Sequence, residues 1–212
     1  YYEGGNLRQW SQAEVRAPRA KLCVAQRIAE AVGFLHENSL MHRDLKPENI
    51  VLSSGDSDAA PALCDFDLSK GVSDAATTLL GGTLQYLPPH FVEDRKPTPA
   101  TDIFALGITF IELLVHDGQP GRIATSASGR VEEGALRGLE RQLGEFNDPE
   151  ALAALLSRMV DANPEERPTA NDVVLKLGVL LQMTVCLICC VPHRFEALLL
   201  CSERAAHAVC RD

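Results

Sequence analysis

The sequence predicts a mainly α-helical fold carrying one small β-hairpin. Three observations carry that prediction. Apolar residues recur at helical spacing between residues 20 and 37, the stretch 102–115 is apolar nearly all round, and two short apolar runs, 50–52 and 62–64, flank the turn-forming string SSGDSD.

Taken in chain order, the first helix shows Val24, Ile28, Val32 and Leu35 on one face, with Lys21, Gln26, Arg27 and Glu30 on others. It leads directly into the string HRDLKPEN at 42–49. The hairpin then returns the chain so that Asp65 comes back to the neighbourhood of Asn49. The apolar stretch 102–115 suits a helix enclosed on every side, and Asp102 stands at its start, where a carboxylate favours the helix N-terminus. A further helix is expected over 151–160, announced by Asp148 and Pro149, and another from Asp172 to about Leu181.

Composition bounds the function. At 212 residues, 46% hydrophobic and 23% charged, the chain is long enough for one sizeable core and has no low-complexity region. Its net charge of −9 argues against a general nucleic-acid binder. The apolar run 179–191 contains Gln182 and falls short of the about 20 residues of a membrane-spanning helix, so no membrane span is expected. No secretory signal is visible. Five of the seven cysteines fall between 186 and 210, but CLICC at 186–190 has no second pair at zinc-finger spacing, so neither a metal site nor a disulfide framework is expected there.

The chemistry lies in HRDLKPEN and in DFD at 65–67. A hydroxyl that attacks the terminal phosphate of ATP must lose its proton, and Asp44 is a carboxylate that can orient it and accept that proton. Lys46 would place a positive charge on the transferring phosphoryl group. Magnesium prefers hard oxygen ligands and takes few of them from protein, a demand that Asn49 and Asp65 fit.

These two motifs resemble the catalytic and metal-binding loops of the eukaryotic protein kinases. The resemblance extends further. YYEGGNL at 1–7 is similar to the end of the hinge and the start of the following helix, GTLQYLPPH at 82–90 to the substrate-positioning loop, TDIFALGITFIELL at 101–114 to the central buried helix, and NPEERPT at 163–169 to the stretch bearing a structural Arg. It covers residues 1 to about 178, a kinase C-terminal lobe, and leaves 179–212 as a Cys-rich tail of unassigned structure. It implies ATP and Mg2+ as cofactors, with Tyr2, Asn6, Glu48 and Val51 on the nucleotide side and Asn49 and Asp65 on the metal. His42 is implied to pack beneath Phe66 and to bond near Asp102. Lys46 and Thr83 resemble the serine/threonine branch, with Thr83 bridging Asp44 and Lys46, so the expected partner is a protein with a Ser or Thr acceptor. A cytoplasmic setting, or a nuclear one, goes with this reading. Arg43 implies regulation by phosphate on the segment 68–81, where Thr78 and then Thr77 are best placed; unmodified loop hydroxyls are the alternative.

No glycine-rich loop, strand Lys or partner Glu precedes the hinge in this sequence, which starts on Tyr1. A fragment lacking the N-terminal lobe is therefore expected, with negligible phosphate transfer on its own. Two residues depart from the family pattern: Asp67 stands for the Gly of Asp-Phe-Gly, and His90 stands for the Glu that would pair with Arg167, a loss that Glu93 or Asp94 would have to make good. A docking module that keeps the fold without catalysis is the second reading.

Overall fold

The computed structural model describes residues 2–65, 83–88, 97–118, 139–185 and 192–194. Helix α1 (Leu7–Ala13) opens on Asn6, whose Oδ1 accepts the Gln9 N–H at 2.9 Å while Gln9 Oε1 accepts the Asn6 N–H at 3.0 Å, a reciprocal capping box. Helix α2 (Pro18–Glu37) begins on a proline, tolerated there because the first turn has no use for its missing N–H. Val24, Ile28 and Val32 are buried, as the sequence period requires.

Lys21 corrects the sequence reading, which placed it on a face away from the core. Its side chain is buried, and Nζ reaches Asp117 Oδ1 at 2.7 Å and Glu145 Oε1 at 3.4 Å. The long aliphatic stem covers apolar surface while the ammonium meets two carboxylates from distant stretches. Helical period alone cannot report such partners.

Helix α2 ends in a Schellman motif. Leu40 N–H donates to the Leu35 carbonyl at 2.9 Å and Ser39 N–H to the His36 carbonyl at 3.0 Å, with Ser39 at φ 58° where glycine is usual. This tight stop turns the chain into the 42–49 loop. Strand β1 (Ile50–Leu52) then pairs antiparallel with β2 (Pro61–Leu63) in the register Ile50↔Leu63, Val51↔Ala62, Leu52↔Pro61. The second strand thus ends one residue before Cys64, whose N–H still donates to the Asn49 carbonyl at 2.9 Å. On the other edge of β1, Gly4 N–H donates to Leu52 O at 3.1 Å, Leu52 N–H donates to Gly5 O at 2.9 Å, and Asn6 bridges Val51. The hairpin therefore ties the N-terminal segment to the loop on either side of Asp44.

Helix α3 (Pro99–Val115) starts earlier than its apolar run, because Thr98 supplies an N-cap and Pro99 fits the first turn. It is buried along almost its whole circumference, including Asp102, Thr109 and Glu112. Gly107 allows that enclosure: a Cβ there would lie 2.7 Å from Val160 Cγ1 and 2.9 Å from Met159 Cβ, so only glycine lets the helices approach. Helix α4 (Leu139–Gln142) is short. Helix α5 (Pro149–Met159) is capped by Asp148, which accepts the Ala151 N–H at 2.9 Å, as its start signals predict.

Helix α6 (Ala170–Gln182) packs along α2 through Val173, Leu177 and Leu180 and is followed by a hairpin of β3 (Met183–Val185) and β4 (Pro192–Arg194). Among the described residues the fold is thus mainly helical, and its strands form two antiparallel two-stranded pairings. One apolar core joins Val24, Ile28 and Val32 of α2 to Phe104, Ile108 and Phe110 of α3 and to Leu45, Ile50 and Leu52 beside the 42–49 loop. Each such side chain contributes about 1.5–3 kcal/mol by leaving water, and the last three fix the loop to the core. Among the described residues no helix is long and apolar enough to cross a membrane.

Candidate active site

The site is built on Asp102, one turn into α3. Its Oδ2 accepts the His42 N–H at 2.8 Å and its Oδ1 accepts the Arg43 N–H at 2.8 Å, while His36 Nε2 lies 3.0 Å from Oδ2. Arg43 sits at φ 70°, a left-handed conformation that costs a non-glycine residue about 1–2 kcal/mol. The two charge-assisted bonds from Asp102 hold that turn in place. The sequence put Asp102 at the start of this helix and the family resemblance put it near His42; its carboxylate accepts from the His42 and Arg43 N–H groups of the loop.

The His42 ring lies beneath the loop. Nε2 is 3.0 Å from the Cys64 carbonyl, and Asp44 N–H approaches Nδ1 at 3.4 Å, so the partners match a neutral ring with the proton on Nε2. Burial pushes the His42 pKa below its ordinary value, against the opposing pull of Asp102, the Cys64 carbonyl, Asp44 and Asp65.

Asp44, Lys46 and Asn49 come together as the motif spacing implies. Asp44 Oδ2 accepts from Lys46 Nζ at 2.6 Å and from Asn49 Nδ2 at 2.8 Å, and Asn49 Nδ2 also donates to the Asp44 carbonyl at 2.8 Å. Oδ1 of the same carboxylate is buried and has no hydrogen-bond partner among the described residues. One oxygen is thus fixed and the other is available to accept a proton. A polar atom left unpaired in a protein interior costs about 1–3 kcal/mol, and such costs concentrate where chemistry uses them.

Asp65 follows β2 at φ 66° and is exposed, in the neighbourhood that the Cys64–Asn49 bond defines. Cys64 beside it is half-buried, and burial followed by the charge of Asp65 raises its thiol pKa. Tyr2 is exposed at the N-terminal rim and Val51 half-buried on β1. Asn6 and Glu48, expected on the nucleotide side, are engaged within the protein: Asn6 caps α1, and Glu48 Oε1 pairs with Arg8 Nε at 2.6 Å.

Sequence reading missed the cluster around Arg8. Its Nη2 also lies 3.0 Å from the Tyr86 hydroxyl and 3.2 Å from Glu112 Oε2, and the Tyr86 hydroxyl donates to the same Glu112 oxygen at 3.0 Å. Burial raises the Glu112 and Tyr86 pKa values; Arg8 and the Tyr86 hydroxyl pull Glu112 back only in part. With donors on both oxygens, including Gln85 Nε2 at 3.5 Å, the Glu112 carboxyl is nonetheless set up as an anion. The available signal was Glu112, the one acid in the apolar stretch 103–115.

Arg167 is placed by backbone. Its Nε donates to Asp161 O at 2.8 Å, Nη1 to Ala100 O at 2.8 Å and Nη2 to Ala162 O at 3.4 Å, and its guanidinium lies 5.0 Å from the Phe104 ring centroid. Burial lowers its pKa to about 10, against the attraction of Asp161.

A family model described as protein kinase domain matches residues 1–176. The chain belongs to the protein kinase family. Among its relatives, Aurora kinase of Schizosaccharomyces pombe is 34% identical over 147 residues, covering 69% of this chain and 39% of that protein. A probable LRR receptor-like serine/threonine-protein kinase of Arabidopsis thaliana is 28% identical over 197 residues, 84% of this chain and 20% of its own length. Serine/threonine-protein kinase sck1 of S. pombe is 41% identical over 118 residues, 53% of this chain and 16% of that protein. The chain therefore spans well under half the length of these relatives.

In this kinase chain the oxygen donors Asn49 and Asp65 fit a hard divalent cation that completes its shell with water and phosphate. Asn49 directs its NH2 group to Asp44, which leaves its carbonyl oxygen as the donor for such a cation. Phe66, Asp67, Thr77, Thr78, His90, Glu93 and Asp94 lie outside the described residues, as does the side chain of Thr83, whose backbone opens the 3-10 turn Thr83–Tyr86.

Proposed function

We propose that this chain is the C-terminal lobe of a protein serine/threonine kinase, over residues 1–178 with the tail 179–212 outside it, and that it supplies the base and metal ligands for transfer of the ATP γ-phosphoryl group to a protein hydroxyl. The observation that carries this reading is the Asp44 carboxylate, with Oδ2 held by Lys46 and Asn49 and Oδ1 without a hydrogen-bond partner among the described residues. A Ser or Thr hydroxyl brought to Oδ1 fills that missing hydrogen bond and is oriented for attack. As the new P–O bond forms and the bond to ADP breaks, the hydroxyl proton passes to Oδ1.

Lys46 neutralises charge on the Asp44 carboxylate and stands beside the phosphoryl oxygens. Asn49 and Asp65 would hold Mg2+, which when bound would neutralise charge on the phosphates. His42 keeps the loop over the core, and Arg43 offers its guanidinium to a phosphate on the 68–81 segment, with Thr78 and Thr77 as the sites. Thr83 bridges Asp44 and Lys46 in this reading and marks Ser/Thr specificity, while Tyr2 and Val51 flank the nucleotide. Two of the relatives carry serine/threonine-protein kinase in their names, and a third, CEPR1 of A. thaliana, is a receptor protein-tyrosine kinase.

The test is transfer from γ-labelled ATP to casein by the full-length gene product. Label on phosphoserine or phosphothreonine, and none on phosphotyrosine, is the expected result. The 212 residues alone contain no glycine-rich phosphate loop, and we expect negligible transfer from them. Asp67 and His90 in place of the family's Gly and Glu favour a second reading, a docking module without catalysis. An inactive full-length product that still binds a protein partner supports that alternative.

A further inference from the structure

Four acceptors from distant stretches of chain converge on the guanidinium of Arg8. Nε donates to Glu48 Oε1 at 2.6 Å, Nη1 to the Gly118 carbonyl at 2.6 Å, and Nη2 to the Tyr86 hydroxyl at 3.0 Å and Glu112 Oε2 at 3.2 Å. Glu48 belongs to the 3-10 turn Pro47–Asn49, between Lys46 and the metal ligand Asn49. Tyr86 closes the 3-10 turn that begins at Thr83. Glu112 belongs to α3, the helix that also carries Asp102. Gly118 can deliver its carbonyl only as a glycine, since it lies at φ +72° and a Cβ there would stand 1.9 Å from Ser11 Oγ.

The arms differ in strength. Glu112 is 1% exposed and the Arg8 side chain 14%, so their bond acts where water screens little, whereas Glu48 is 43% exposed and its bond is the weaker arm despite its shorter distance. Tyr86 is buried and ties the two strong partners together. A guanidinium fork is planar and presents donors in fixed directions, so it fixes the relative position of what it holds; an ammonium in its place is a point charge that cannot reach all four acceptors.

We propose that Arg8 is a positioning residue for phosphoryl transfer, fixing the Thr83–Tyr86 turn against the turn that carries Lys46 and Asn49 and so setting where a protein substrate meets Asp44. The inference rests on the kinase reading above. Arg8 touches neither Asp44 nor Asp65 in this arrangement; it acts through Glu48 and Tyr86. Displacements on the order of 1 Å at a reacting pair lower rates by up to about 100-fold, so loosening this clamp is expected to slow turnover without removing any catalytic group.

The experiment compares the full-length gene product with its Arg8→Lys, Tyr86→Phe and doubly substituted variants, using ATP and casein, with a melting curve for each. Arg8→Lys is expected to lower kcat about tenfold while the KM for ATP stays within about twofold, and to add little further loss when Tyr86→Phe is already present. That non-additivity in kcat is a readout that a purely structural role would not move. Unchanged kcat in Arg8→Lys overturns the inference, as does a loss of activity that merely follows the folded fraction or that adds fully to the Tyr86→Phe loss. Wild-type protein that transfers no phosphate overturns the kinase reading and this inference with it; active wild type beside an equally active Arg8→Lys overturns the inference alone.

Discussion

Replacing Asp102 by Asn tests whether the 42–49 loop is held by α3. Asp102 gives two carboxylate oxygens to three donors: the His42 N–H at 2.8 Å, the Arg43 N–H at 2.8 Å and His36 Nε2 at 3.0 Å. The best Asn rotamer keeps its oxygen where Oδ2 serves two donors and turns its NH2 group toward the Arg43 N–H. That leaves one buried donor facing another and makes the surviving bonds neutral. A charge-assisted bond contributes about 1.5–3 kcal/mol and a neutral one about 0.5–1.5, so one lost and two weakened bonds amount to about 2–4 kcal/mol. The Arg43 turn, at φ 70°, has then lost its own restraint and can relax toward negative φ, which recovers part of the loss. Urea unfolding of the 212-residue chain followed by circular dichroism measures it. At an m value of about 2 kcal/mol per M, the midpoint falls by about 1–2 M. A shift worth less than about 0.5 kcal/mol at unchanged m would falsify the claim that these bonds hold the loop.

Protonation of His42 gives a second expectation. Its folded pKa is depressed by burial, so the associated stability is fully present above the ordinary histidine value and is lost as pH falls through the lowered folded value. Denaturation midpoints of the chain between about pH 7 and pH 5 should fall more steeply in wild type than in His42→Gln, whose amide can still donate to the Cys64 carbonyl; equal slopes would remove His42 as the source. Lys21→Leu gives a third. The Lys21 side chain is 5% exposed but its partners Asp117 and Glu145 are 67% and 50% exposed, so both carboxylates return to water when the ammonium is gone. The expected cost is at most about 1 kcal/mol by thermal unfolding, and a loss several times larger would show that Lys21 does more than pack.

The chemistry of this chain is concentrated in sequence, and that is why it was legible. Asp44, Lys46 and Asn49 lie within six consecutive positions, and the strands on either side of SSGDSD bring Cys64 back to Asn49 through a single hairpin. Helices α2, α3 and α5 could likewise be read from local period and caps, with α3 beginning earlier because Thr98 and Pro99 extend it beyond the apolar run. Partnerships of charges were not legible. Arg8 and Glu112 are 104 positions apart, and Lys21 and Glu145 are 124 apart, so nothing local marks either pair. Left-handed Arg43 and Asp65 were also missed, since neither is a residue type that favours that region as glycine does; the surrounding bonds impose it. The end of α2 at Glu37 was legible all the same, because the apolar period stops there, although the left-handed Ser39 beyond it was not.

The most direct test of the central claim compares phosphate transfer to casein by the full-length gene product with that of its Asp44→Asn variant at matched folded fraction. Asn keeps the size of the side chain and can still accept one hydrogen bond, but it cannot take the hydroxyl proton. The account predicts a fall in kcat of about 100-fold or more, with the KM for ATP little changed. Equal rates in the two proteins would contradict it and would show that Asp44 is not the base.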